Sequence, residues 1–113
     1  MQERRRFPRV ELNEKVMWRK ADTFDNLNRI RNISEGGLCF ETDDLRLSHD
    51  DIVQFSFQLP NKMTVYSKGR VCWISGVEPG RVGWQAGVQF QDIGDPQRQD
   101  IQQFVGESRY GCD

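Results

Sequence analysis

Four arginines, Arg4, Arg5, Arg6 and Arg9, fall within six positions around Phe7-Pro8. A guanidinium is planar, permanently charged and carries five donors in a fixed fork. It therefore pairs bidentately with phosphate or with the O6 and N7 edge of guanine, and it stacks on a base. Clustered guanidiniums repel one another, so the arrangement is favourable mainly when an anion sits among them. Pro8 fixes its own backbone angle and stiffens the turn between Arg6 and Arg9, which lowers the cost of ordering the segment over a ligand. About twenty residues later comes Asn32-Ile33-Ser34-Glu35-Gly36-Gly37. Asn32 and Ser34 are two apart, so in extended backbone they share a face. The amide offers donor and acceptor together and the hydroxyl rotates, a pair suited to a base edge. Gly36 and Gly37 permit positive backbone angles and close approach of a ligand to the main chain. Each segment alone also fits a plainer role, a solvated basic tail and a structural turn. Together they look like two halves of one anion-binding site, held apart in sequence by a single strand.

The rest of the composition favours a local site over a charged track. The 113 residues suffice for one domain, and 36% hydrophobic content makes the core small. Seven Phe and three Trp compensate, because large aromatic side chains bury much area per residue. Net charge is only −1. Residues 1 to 10 hold four Arg against Glu3, whereas 41 to 51 hold Glu41, Asp43, Asp44, Asp50 and Asp51 against Arg46. That acidic stretch lacks the spacing of an EF-hand. No apolar run approaches the roughly 20 residues that cross a bilayer, and no apolar stretch follows the basic N-terminus as in a secretory signal. A cytoplasmic protein without membrane insertion is expected. Cys39, Cys72 and Cys112 show no metal spacing and are odd in number, against a disulfide framework. Cys39 and Cys72 lie in strand-like runs and are expected to be small buried hydrophobes, with Cys112 a bystander in a polar tail.

The elements that must position the two motifs are mostly strands. Val10, Leu12, Val16 and Trp18 recur at even spacing, the mark of a strand with one buried face. Residues 21–26 are turn-like, and 27–33 make a second strand with weak alternation. A third strand covers 38–42, and the acidic 43–51 is a loop. Val53, Phe55, Phe57 and Leu59 alternate most cleanly. Residues 63–73 make one long strand, with Gly69 a candidate bulge. Residues 76–83 form a Gly/Pro loop, and Trp84, Ala86, Val88 and Phe90 make the last strand. Only the end is helical. Asp95 suits an N-cap, Pro96 the first helical position, and Ile101, Phe104 and Val105 repeat at helical spacing. The expected fold is all-β, a small six-stranded antiparallel barrel with a C-terminal α-helix. Closure removes the sheet edges that so short a chain could not cover. The expected organisation is a mobile Arg-rich arm over 1–10, barrel over 11–93, helix over 95–106 and a disordered tail over 107–113.

With the motifs in this order, the chain resembles the PilZ domain family. Arg5-Arg6-Phe7-Pro8-Arg9 matches the R-x-x-x-R signature of PilZ domains, and Asn32-Ile33-Ser34-Glu35-Gly36-Gly37 matches their [D/N]-x-S-x-x-G signature. Gly69-Arg70-Val71-Cys72-Trp73 is similar to the family's mid-barrel strand, and Gly87-Val88-Gln89-Phe90 to its closing strand. The resemblance implies a bacterial receptor for cyclic diguanylate (cyclic di-GMP), with no further cofactor and no metal. It implies that Arg5 and Arg9, with Arg6 beside them, contact phosphates and guanines from a flexible arm. Asn32, Ser34 and Gly37 would hold a guanine from the barrel surface. Gly36 is an extra glycine at a variable position, and Arg4 lies outside the signature. Trp73 falls where some members place an aromatic near the ligand, and a place in the core fits it equally. Asn in place of Asp removes a negative charge beside the guanidiniums.

The expectation is therefore a non-enzymatic second-messenger receptor, monomeric or weakly dimeric, whose ordered arm changes the surface offered to an unknown protein partner. An adaptor of the same fold without ligand binding is one alternative. A small barrel binding single-stranded nucleic acid is another, and it would spread its cations along a groove. Long nucleic acid is not expected. His49, the only histidine, lies in the loop Ser48-His49-Asp50-Asp51, a solvated position, and no nucleophile has a visible catalytic partner.

Overall fold

The structure, a computed structural model, describes residues 9–20, 25–43, 47–60, 63–76 and 83–111. Alternating exposure sets the strands. In β2 (Lys15–Lys20) Val16 and Trp18 are buried while Lys15, Met17 and Arg19 face out, and β5 (Ile52–Gln58) buries Val53, Phe55 and Phe57 in the same rhythm. The other strands are β1 (Val10–Glu11), β3 (Asn26–Ser34), β4 (Gly37–Thr42), β6 (Thr64–Gly76) and β7 (Trp84–Gln91), and the chain ends in α1 (Asp95–Gly111). All pairings are antiparallel, in the order β1-β3-β2-β5-β6-β7-β4, and β4 returns to pair with β3. Six strands thus close a barrel, as the alternation predicts, and β1 is an additional short strand along one edge of β3.

Three departures from simple alternation shape the wall. The strand expected from Val10 to Trp18 is broken into β1 and β2. Both run along β3, but Glu11 pairs with Asn32 and Lys15 with Arg29, so four steps on one side face three on the other. Val10, assigned to the arm on sequence grounds, is already in the sheet, opposite Ile33. In β3 the register slips between Ile30 and Asn32, opposite Phe40 and Cys39. That bulge lets Ile30 and Ile33, three apart, both point into the core, and it explains the weak alternation of this stretch. In β6 the slip lies between Val71 and Trp73, at Cys72. Gly69 is not the bulge. It pairs regularly with Val53 and Phe90, and a Cβ there would stand 2.2 Å from Val88 Cγ1, so its role is to leave room for the core. Cys72 is only half-buried as a result, contrary to expectation, while Cys39 is buried.

The barrel interior is filled by Val16, Trp18, Ile30, Ile33, Leu38 and Phe40 with Val53, Val65 and Val71, all at most 1% exposed. Trp18 packs on Phe40 at 5.6 Å between ring centroids and donates its Nε1–H to Asn28 Oδ1 at 2.6 Å, so its one polar group is paired. Helix α1 covers part of the barrel. Arg98 N donates to Gly94 O at 2.9 Å, and Ile101 and Val105 are buried with Phe104 half-buried, the i, i+3, i+4 stripe that the sequence predicts. The helix runs on through Gly111, where the sequence suggested a tail beginning at 107. Of that tail, 112–113 lie outside the described residues.

Candidate ligand site on the outer barrel face

The β3–β4 hairpin carries the second motif. Ser34 pairs with Gly37, leaving Glu35 and Gly36 as a two-residue turn. The Ser34 hydroxyl is 4% exposed, accepts from Gly36 N at 3.2 Å and donates to Gly37 O at 3.5 Å. Its oxygen therefore braces the turn from inside. Gly37 is required by crowding, because a Cβ there would lie 2.2 Å from the Val88 carbonyl oxygen on β7. Gly36 and Gly37 permit positive backbone angles, but neither uses one. Among the described residues only Asp50, Asp92 and Gly83 have positive φ. The turn is tied on both sides, since Phe90 N donates to Gly36 O at 2.9 Å and Gln102 Nε2 on α1 donates to Glu35 Oε1 at 2.9 Å.

Arg9 brings the first motif to the second. Its Nη1 donates to Asn32 Oδ1 at 2.8 Å, across 23 positions of sequence. The one-residue offset between β1 and β2 and the pairing of Glu11 with Asn32 place this end of the chain beside β3. Arg4, Arg5, Arg6 and Pro8, with residues 1–8 of the expected arm, lie outside the described residues.

Trp73 stands on the same surface. Lateral pairings run Glu11, Asn32, Cys39, Gly87 and Trp73 across β1, β3, β4, β7 and β6. From Asn32 to Trp73 that is three strand spacings, about 14 Å. Trp73 is 40% exposed, which removes it from the core. A Cβ at Gly87 would lie 2.1 Å from Trp73 Nε1, so the indole lies over the bare backbone of Gly87. The face thus has a polar end at Arg9 and Asn32 and an aromatic end at Trp73.

Sequence reasoning missed the residues around this row. Arg70 pairs laterally with Gln89, and Gln89 with Gly37. Arg70 Nη2 donates to Gln89 Oε1 at 3.2 Å and Nη1 to Asp50 Oδ1 at 2.6 Å. The Arg70 guanidinium holds the Asp50 carboxyl below its ordinary value, partly offset by loss of hydration and aided by His49, whose Nδ1 lies 3.0 Å from the other oxygen. Arg31, at the β3 bulge, pairs with Glu41. Strict alternation puts Arg70 and Trp73 on opposite faces, and only the bulge at Cys72 brings them to one side. No signal in the sequence marks that bulge. The site is an open face. A shallow groove of about 480 Å³ lies elsewhere, lined in part by Lys15, Arg29, Ser56 and Gln58, with none of the motif residues. Among the described residues no group of three His, Cys, Asp or Glu could hold a metal ion, and no helix is long and apolar enough to cross a membrane.

The family described as PilZ domain matches residues 3–107. No curated protein matches the chain. Among solved structures, the inhibitor of motility MotI (DgrA) of Bacillus subtilis superposes with a TM-score of 0.86 at 17% identity, over 97% of this chain and 53% of that one. The MrkH–c-di-GMP complex of K. pneumonia gives 0.85 at 21% identity, over 98% and 55%. This chain thus spans about half the length of each. The PilZ domain of YcgR from Escherichia coli, solved with c-di-GMP, gives 0.76 at 14% identity over 97% and 95%. At these identities the structural likeness establishes the fold.

Proposed function

The chain belongs to the PilZ domain family, and from that premise we propose that it is a receptor for cyclic diguanylate that works by binding alone. The observation that carries the reading is the Arg9–Asn32 hydrogen bond, which joins the R-x-x-x-R and [D/N]-x-S-x-x-G motifs on one face. Two solved structures of the same fold, MrkH and the YcgR PilZ domain, are complexes with c-di-GMP. The chemistry fits the ligand. Asn32 spends its amide oxygen on Arg9, so its –NH₂ is the group it offers outward, a donor for the acceptor edge of guanine. Arg5, Arg6 and Arg9, with Arg4 as an outer cation, would supply forked donors to phosphates and guanines. Gly37 and Gly36 would let the base approach the hairpin, and Trp73 would give it a stacking surface. Ser34 would act by holding the turn in shape.

On this reading the arm gains charge-assisted bonds as it closes over the dinucleotide, and the altered surface is read by another protein, a switch that needs no covalent chemistry. The cytoplasm is the compartment where such a ligand would be met. The test is a fluorescent cyclic diguanylate titrated into wild type, Arg9→Ala and Asn32→Ala. Saturable binding by wild type, weakened roughly tenfold or more in both variants while they stay folded, supports the reading. Equal affinity in all three removes the proposed residues from the site. Failure of wild type itself to bind leaves a ligand-independent adaptor.

A further inference from the structure

The opposite wall of the barrel carries a second feature. It consists of β2, β5 and the first halves of β3 and β6. Lateral pairing runs Leu27, Met17, Ser56, Tyr66 across these four strands. Leu27 is 57% exposed, Met17 44% and Tyr66 66%, so the row is an apolar track crossing the strands at right angles. One register step to one side, Lys15 stands directly opposite Arg29. On the other side, Arg19 and Lys68 flank Gln54 in the parallel row. All four cations are exposed. Among the outward-facing described residues of 15–19, 27–29, 54–58 and 64–68 none is acidic, in a chain with 17 acidic residues and net charge −1. Glu41, opposite Arg29 on β4, is engaged by Arg31.

Two features mark this wall as built for an acidic occupant. Like charges directly opposite in an antiparallel pair destabilise a sheet, and Lys15 with Arg29 is such a pair, relieved when an anion lies between them. The groove of about 480 Å³ opens there, lined by Lys15, Arg29, Ser56, Gln58 and Thr64, with Glu14 the one carboxylate in its lining. Arg29 Nη1 is already oriented by Asn13 Oδ1 at 2.7 Å. The track between the cation rows selects what kind of anion. A nucleic-acid backbone would use the cations and leave Leu27 and Met17 uncovered, and a bilayer would meet only the crest of a convex wall.

We propose that this wall is a docking surface for an acidic amphipathic helix of a partner protein. Strands are about 4.8 Å apart and a helix advances about 5.4 Å per turn, so a helix laid along the row sets apolar residues at i, i+3 or i+4 and i+10 or i+11 in step with Leu27, Met17 and Tyr66. Its carboxylates on either flank then meet Lys15 with Arg29 and Arg19 with Lys68. The surface is separate from the Arg9–Asn32 face and does not depend on the nucleotide reading.

The test uses the full chain and a fluorescent helical peptide of about five turns, with a Leu stripe flanked on both sides by Glu. A Lys-for-Glu counterpart, vesicles containing phosphatidylglycerol and single-stranded DNA serve as the other arms. The expected result is saturable binding of the Glu peptide alone, weakening as salt rises, with amide shifts confined to 15–19, 27–29, 54–58 and 64–68. Met17→Ser with Leu27→Ser, and separately Arg19→Glu with Lys68→Glu, each weaken binding roughly tenfold or more. Both sets are exposed, and the shift map on wild type decides if either fails to fold. Absent binding, a map elsewhere, or equal binding of the Lys counterpart overturns the proposal. Preferential binding of vesicles or of DNA overturns it in favour of a lipid surface or a nucleic acid.

Discussion

Arg9 and Asn32 are 23 positions apart in sequence and 2.8 Å apart in space. Hydrogen bonds to charged groups contribute about 1.5–3 kcal/mol, so Arg9→Ala should lower cyclic diguanylate affinity roughly 10–100-fold on the proposed reading, measured by titration. Its melting temperature should fall by no more than about ten degrees, because the variant loses the Arg9–Asn32 hydrogen bond but no core contact. Ser34→Ala should act mainly on stability. It removes the oxygen that accepts from Gly36 N, so stability should fall by about 1 kcal/mol in a denaturant melt, with a smaller loss of affinity. The sequence marks both residues as polar groups of one motif. It cannot tell them apart, because only the hairpin geometry turns one hydroxyl inward. Arg70 offers a pH test. With its guanidinium in place the Asp50 carboxyl titrates below the ordinary carboxylate value, and Arg70→Gln should raise that midpoint in an NMR titration. The depressed value means that the contact is present at neutral pH and lost as pH falls through the folded-state midpoint. Asp50 is exposed, so little stability goes with it.

The elements depend on glycines at two crossings. Gly37→Ala would drive a Cβ to 2.2 Å from backbone, the Val88 carbonyl oxygen, so β4 must part from β7. The expected loss is about 1–3 kcal/mol, read as a lower midpoint in thermal or denaturant unfolding. Gly87→Ala meets the Trp73 indole instead, a side chain that can swing away. It should alter Trp fluorescence and ligand affinity while leaving the barrel folded. Strand and helix identities were legible because the periods of 2 and 3.6 survive in Val53 to Phe57 and in Ile101 to Val105. The bulges at Arg31 and Cys72 were not. A bulge shifts parity by one residue, and a single sequence carries no marker separating that shift from an irregular alternation. The same loss of parity hid Arg70 as a neighbour of Trp73.

At the scale of the molecule, closing six strands puts chemically different surfaces on opposite walls of one barrel. One carries Arg9, Asn32 and Trp73, and the other the apolar track with its four cations. Helix α1 ties to the first side through Gln102 and Glu35, and to the edge of β6 through Gln97 Oε1, which accepts from Tyr66 N at 2.5 Å. The barrel and its C-terminal helix could be expected from strand count and edge closure, whereas the length of the helix could not, since Gly106 reads as a stop and lies within it. The most direct test of the receptor account is a calorimetric titration of the protein with cyclic diguanylate, with GTP and cyclic diadenylate as controls. The account predicts saturable heat from cyclic diguanylate alone, with a fitted stoichiometry that reports whether one or two molecules enter. No heat from it and no thermal stabilisation at high ligand concentration, or equal binding of all three nucleotides, would contradict the account.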